Sequence, residues 1–210
     1  MEALLVCGGE APPLSRLEQR LRRFGLVCAA DSGLDTLIAW CVAPDIIVGD
    51  MDSVSDPAAA SRFPLARLLT APRDKDETDT EMGLEALAAA GADRIVLAGG
   101  GGGRLDHLLA IRCLFERPSP RPRPSEWHTA REAAYLVREG ERLSIEAARG
   151  ALVSVFPLAR GSSSMGSAGL KWPLDGLEWG PGDCGVSNVA LEGRFDVSAG
   201  RGEILVVVSC

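Results

Sequence analysis

Histidine and paired cysteine are scarce in this chain. Its 210 residues include two histidines, His107 and His128, and six cysteines with no Cys-x-x-Cys spacing. A zinc centre draws closely spaced donors from those two residue types, so zinc chemistry is set aside. No apolar run approaches the roughly 20 residues that a membrane-spanning helix needs. The stretch from Met1 to Gly9 has no basic leader; it reads as a buried strand rather than a secretion signal. With Cys7 and Cys28 in apolar strands, the expected setting is a reducing cytoplasm. The basic residues form no sustained stripe and the formal net charge is -7, which argues against a nucleic-acid surface. A Walker loop, a spaced dinucleotide fingerprint and an internal repeat of fixed period are all missing.

What is there is an ordinary globular composition, 46% hydrophobic and 24% charged, in a chain long enough for one substantial core or two small ones. The first half alternates strand and helix. LLVCG, LVCAAD, DIIVGD and RIVLAGG are short apolar runs of the kind covered on both faces in a parallel sheet. Between them, Ser15 and Glu18 form a capping-box pattern ahead of Leu17, Leu21 and Phe24, and a second helix carries Leu34, Leu37, Ile38 and Cys41. A third helix runs from about Asp79 to Ala90, capped by Thr78 with Glu81 and stopped by Gly91. The segment ERPSPRPRPSE reads as a stiff linker. Beyond it AYLVREG, RLSIEA, ALVSVFPL, GRFDVSA and GEILVVVS are short strands between glycine-bearing turns. The expected fold is therefore α/β plus all-β: an N-terminal open parallel, Rossmann-like sheet over residues 1–120, then a C-terminal β-sandwich over 130–210.

Acidic residues gather where such a sheet binds ligands, beyond the carboxyl ends of its strands. Asp31 ends LVCAAD, Asp50 and Asp52 follow DIIV, Asp76 and Asp79 lie in DKDETD, and Asp106 follows a glycine run. Asp50 and Asp52, two apart in extended chain, share a face. Each aspartate alone is also an ordinary turn former or helix cap. Together they would repel strongly in one crevice, unless a divalent cation sits among them. Mg2+ held by carboxylates and substrate phosphates is the usual solution. The run Gly99–Gly103 lets backbone N–H groups approach a phosphate, with Arg104 to neutralise it.

In order along the chain, ADSG, PDIIVGDMDS, DKDETD, GGRLDH, GLKWPL and VSN resemble the motifs of the thiamine pyrophosphokinase (thiamine diphosphokinase) family. The resemblance implies transfer of pyrophosphate from ATP to the hydroxyl of thiamine, giving thiamine diphosphate and AMP. It implies Asp50, Asp52 and Asp79 as Mg2+ ligands, and Asp79, Arg104 and Asp106 around the reacting groups. Asp31, Gly33, Lys75, Gly102, Gly103, Arg104 and His107 would hold the nucleotide. Trp172, Ser187 and Asn188 would face thiamine, in a homodimer whose partner's second domain completes the pocket. This chain departs from the family pattern at Ser32, at Asp35 and at Gly166-Ser167-Ala168. A pyrophosphokinase for another hydroxymethyl heterocycle, such as a pterin, and a non-catalytic nucleotide or thiamine sensor stand as alternatives.

Overall fold

A computed structural model describes residues 1–56, 58–70, 77–158 and 160–210. The chain divides into two units, Met1–Ala130 and Arg131–Cys210.

In the first unit, β1 (Glu2–Val6), β2 (Leu26–Ala30), β3 (Ile46–Val48), β4 (Arg67–Leu69), β5 (Arg94–Ala98) and β6 (Glu126–His128) lie in the order β6-β5-β1-β2-β3-β4. Every pairing among them is parallel. β1 alternates its side chains between two covered faces. Leu4 and Val6 pack with Leu17, Leu34 and Leu37, while a Cβ on Gly83 would strike Leu5 on the other face. Burial on both faces explains why these strands are apolar throughout. From β1 the chain moves to one side through β2, β3 and β4, then crosses to β5 on the other side. The carboxyl ends of β1 and β5 thus flank a topological switch point.

The helices of this unit are α1 (Glu18–Leu21), α2 (Gly33–Ala39), α3 (Asp79–Ala89) and α4 (Leu105–Leu114). The capping box expected at Ser15 does not form. Ser15 lies inside a 3-10 turn, Leu14–Arg16, entered from Pro13, and only a four-residue helix follows. The Thr78–Glu81 box does form. The proline-rich segment is not a linker between units. It returns the chain from α4 to β6 inside the first unit, and the unit ends at Ala130 rather than near 120. β6 carries a polar cluster: buried Glu126 accepts from Arg20 and Arg94 and contacts His128. Burial alone would raise its pKa, but the hydrogen bonds from His128, Arg20 and Arg94 and the Arg20 charge prevail, leaving it well below the usual carboxylate range.

The second unit is antiparallel. β7 (Glu132–Val137), β9 (Leu152–Pro157), β11 (Gly185–Val189) and β13 (Ile204–Ser209) run in the order β11-β9-β13-β7. β8 (Arg142–Glu146), β10 (Ser164–Ala168) and β12 (Arg194–Ala199) form a second sheet in the order β10-β12-β8. One apolar cluster draws on both: Val153, Val155, Val206 and Val208 from the first, Ile145, Phe195 and Val197 from the second, with Trp179 and Leu170. Among the described residues, no helix is long and apolar enough to cross a membrane.

Candidate active site

A cavity of about 630 Å³ opens where β1, β2 and β5 end. Its walls come from Gly8 and Gly9 after β1, Asp31 and Ser32 after β2, the start of α3, and the glycine run with the inward side of α4.

Asp31 sits at the turn out of β2 with φ 48, in the left-handed region where aspartate is one of the tolerated residues. Its N–H donates to Val48 O at 2.9 Å, which pins the turn to β3. Burial pushes its carboxyl pKa up. A hydrogen bond with Ser53 opposes this, the charge of Asp79 adds to it, the Ser32 backbone opposes it and Asp52 adds again. One oxygen, Oδ1, is buried and has no hydrogen-bond partner. Asp31, Asp50 and Asp52 each offer an oxygen within 4.8 Å of the others. The loop that brings Asp50 and Asp52 there is tied at both ends. Asp52 N–H donates to Asp50 Oδ1 at 3.2 Å, and Asp35 on α2 accepts from Ser55 N–H and Oγ at 2.9 and 2.8 Å. Asp35 therefore anchors the acidic loop.

Asp79 opens α3, and a Cβ on Gly49 would lie 3.2 Å from its Oδ1, so it stands directly beside the Asp50 loop. A helix N-terminus is where a carboxylate is electrostatically favoured. Of the carboxylates expected as metal ligands, Asp50 and Asp52 converge with Asp31, while Asp79 stands beside Gly49 outside that group of three. An orphaned buried carboxylate oxygen beside further carboxylates is a donor set that fits a hard divalent cation.

On the other wall, the loops after β1 and β5 zip together. Gly100 N–H donates to Gly8 O at 2.6 Å, Glu10 N–H to Gly101 O at 2.6 Å and Gly101 N–H to Glu10 O at 3.3 Å. Gly100 and Gly101 have thus committed their amides. Gly102 and Gly103, at φ 62 and 76, line the cavity next to the N-terminus of α4. That combination, left-handed glycines running into a ten-residue helix, suits an anion. Arg104 is the N-cap of α4 and is held by Asp106 through Nε–Oδ1 at 3.1 Å and Nη2–Oδ2 at 2.5 Å. The Arg104 hydrogen bond lowers the Asp106 pKa, and the pair is exposed. His107 lies on the cavity wall.

Gly33 does not line the cavity. It is buried at the start of α2, and a Cβ there would lie 2.0 Å from Val6 O, so its role is the close approach of α2 to β1. Ser32 fits by a matching vacancy: a Cβ on Gly8 would lie 2.2 Å from Ser32 Oγ. Lys75 and Asp76 lie outside the described residues.

In the second unit, Trp172 is 51% exposed, and Lys171 Nζ sits 4.5 Å from its ring centroid. Asn188 is buried, and its amide is engaged by the Trp172 backbone. Ser187, at φ 61, occupies the irregular step in β11 and is exposed. The contacts that sequence reasoning missed are those of Ser53, Asp35 with Ser55, and Arg117 with Glu81. Only the glycine pair after β1 carried a local signal, a Gly-Gly at a strand end.

The fold and site define a class: open α/β domains whose ligand crevice lies at the carboxyl ends of parallel strands. Residues 17–119 match the family described as thiamin pyrophosphokinase, catalytic domain. This stretch, within the first unit, is what the chain shares with the thiamin pyrophosphokinase family. Among solved structures, thiamine pyrophosphokinase from Bacillus subtilis is similar at TM-score 0.80 and 22% identity, covering 100% of this chain and 99% of that one. A thiamin pyrophosphokinase family protein from Enterococcus faecalis follows at 0.78 and 24%, covering 100% and 99%. Thiamin pyrophosphokinase from Candida albicans matches at 0.78 and 16%, covering 99% and 89%. At these identities the likeness is one of fold. No curated protein matches the sequence.

Proposed function

We propose that this chain is a thiamine pyrophosphokinase, moving the terminal pyrophosphate of ATP to the hydroxyl of thiamine. The observation that carries the reading is the convergence of Asp31, Asp50 and Asp52 within 4.8 Å, beside Asp79, inside the stretch matching the catalytic domain. Such a cluster has a chemical reason if phosphates and a cation meet there. Asp50, Asp52 and Asp79 would hold Mg2+, with Asp31 beside them. The ion would supply charge neutralisation along the phosphate chain when bound.

The chain's own residues then divide the work. Gly102 and Gly103 with the α4 N-terminus receive phosphate oxygens, and His107 extends that wall. Arg104, aimed by Asp106, meets the negative charge that builds on the transferred group. The thiamine hydroxyl oxygen bonds to the β-phosphorus of ATP, and the bond from that phosphorus to the α–β bridging oxygen breaks. AMP leaves with the bridging oxygen, and the hydroxyl proton passes to a carboxylate. Asp79 and Asp106 are the two carboxylates placed to take it, the first sharing its charge with the cation and the second with Arg104. Lys75 is a further phosphate contact on the family pattern.

The second unit, read as a β-sandwich on the support of its two-sheet apolar core, offers thiamine the face of Trp172 and the hydroxyl of Ser187. The first unit is read as Rossmann-like. We take the working form as a homodimer; exposed Trp172, Val186 and Met165 on the second unit support a partner surface. Six free cysteines suit the cytoplasm.

The test is incubation with ATP, Mg2+ and thiamine, followed by chromatography of the products. Equal amounts of thiamine diphosphate and AMP, lost on adding EDTA, are expected. Thiamine monophosphate with ADP would refute pyrophosphoryl transfer. ATP binding without turnover, or turnover only with a pterin, would refute thiamine as acceptor.

A further inference from the structure

One buried cation at the cavity is left over once phosphates and metal are assigned. Arg117 lies just beyond α4, is 6% exposed, and lines the cavity together with Thr78 and Glu81. Burying a guanidinium is costly unless partners surround it. Its partners are specific: Nη2 reaches Glu81 Oε1 at 2.6 Å, and Nη1 reaches Pro122 O at 3.4 Å and Glu85 Oε1 at 3.5 Å.

Glu81 is also the residue that closes the turn on which Asp79 stands. Its Oε2 accepts from Thr78 N–H at 2.8 Å and Thr78 Oγ1 at 3.0 Å, while its own N–H donates to Thr78 Oγ1 at 3.2 Å. A capping box needs only one carboxylate oxygen. Here the second oxygen is spent on Arg117, so the helix start bearing Asp79 is tied to the chain that follows α4. The other end of α4 carries Arg104, Asp106 and His107. The carboxylate wall and the cationic wall of the cavity are therefore joined through Arg117, most closely by its pair with Glu81.

We propose that Glu81, braced by Arg117, is a positioning residue that holds Asp79 in the geometry the divalent cation requires. This rests on the metal reading of the acidic cluster given above. Glu81→Gln keeps an acceptor for Thr78 and removes the charge facing Arg117. Groups that orient metal ligands typically change affinity by about 10- to 100-fold when lost, and about tenfold is expected here.

The test measures Mn2+ binding to the intact protein by electron paramagnetic resonance, alongside thermal unfolding and steady-state kinetics. For Glu81→Gln, weaker Mn2+ binding and a higher Mg2+ requirement, with thiamine KM unchanged, would support positioning. Arg117→Met should do the same, and the double variant should be no worse than the worse single one, because both act through one pair. Native Mn2+ affinity in Glu81→Gln, with only a lower Tm, would overturn the inference and make the pair merely structural. Absence of Mn2+ binding by the unaltered protein would overturn the metal reading itself, and the inference with it.

Discussion

The side-chain amide of Asn188 brackets the peptide of Trp172: Nδ2 donates to Trp172 O at 2.7 Å, and Oδ1 accepts from Trp172 N–H at 3.1 Å. Oδ1 also accepts from Val189 N–H at 2.8 Å. An amide so engaged is a clamp on the backbone that presents the indole, and has one N–H left for any ligand. Asn188→Ala removes the clamp and leaves backbone groups of Trp172 unsatisfied, a loss of about 1–3 kcal/mol. Trp172→Ala removes the ring, worth roughly 0.5–2 kcal/mol if it contacts the cationic vitamin. Both variants should raise the KM for thiamine and leave that for ATP unchanged. Kinetics with each substrate varied in turn decide it; equal effects on both would end the assignment of Trp172 to thiamine.

Asp50 and Asp52 are exposed and stand close to Asp31. Replacing either by asparagine would remove a proposed metal ligand and also a like charge. Turnover should fall by about 100-fold or more, since a bound cation supplies several kcal/mol of charge stabilisation. The metal-free protein should unfold at the same temperature as before or higher. Retained activity in both variants would refute the ligand assignment.

These residues mark how far local pattern carries. The Thr78–Glu81 cap was legible because every partner lies within four residues. Ser15 and Glu18 show the same spacing, yet the chain arrives through Pro12 and Pro13 into a 3-10 turn and the box never closes. The apolar strands of the first unit were legible as runs buried on both faces. β6 was not, because a proline-rich segment precedes it and its buried residues are Glu126 and His128, stabilised by distant Arg20 and Arg94. β10 and β11 were hidden by their serine and glycine content. The acids of the site could be named from the sequence. That Asp31 meets Asp50 and Asp52, and that Gly33 packs against the end of β1 off the cavity wall, required the pairing of β2 with β3 and of α2 with β1.

Glu126 gives the first unit an acid-sensitive point. Its pKa in the folded protein lies below the ordinary value of 4.5. The stabilisation is therefore complete above that value and is lost as pH falls through the folded pKa. Unfolding by urea should show stability flat from neutrality to about pH 5 and declining below it. Glu126→Gln should lose about 2 kcal/mol at neutral pH, because Arg20 and Arg94 would keep only Glu2 as a charged partner. Its decline in acid should be shallower than that of the unaltered protein. Parallel acid profiles for the two would show that another carboxylate governs the loss.

Gly33 separates packing from ligand binding most sharply. A methyl group there would lie 2.0 Å from Val6 O and 2.9 Å from Cys7 Cα, backbone atoms at the end of β1 and just beyond it. Neither can rotate away, so α2 must lift from β1, carrying Asp35 and its hold on Ser55 with it. Gly33→Ala should cost about 3 kcal/mol or more in stability, at the upper end for overpacking. The displaced Asp35 should also loosen the Asp50–Asp52 loop, so Mn2+ affinity should fall even in the fraction that remains folded. Asp35→Asn keeps α2 seated and weakens only the tie to Ser55, so it should lower Mn2+ affinity with little change in Tm. If Gly33→Ala instead left stability intact and reduced ATP affinity alone, Gly33 would belong to the nucleotide site after all.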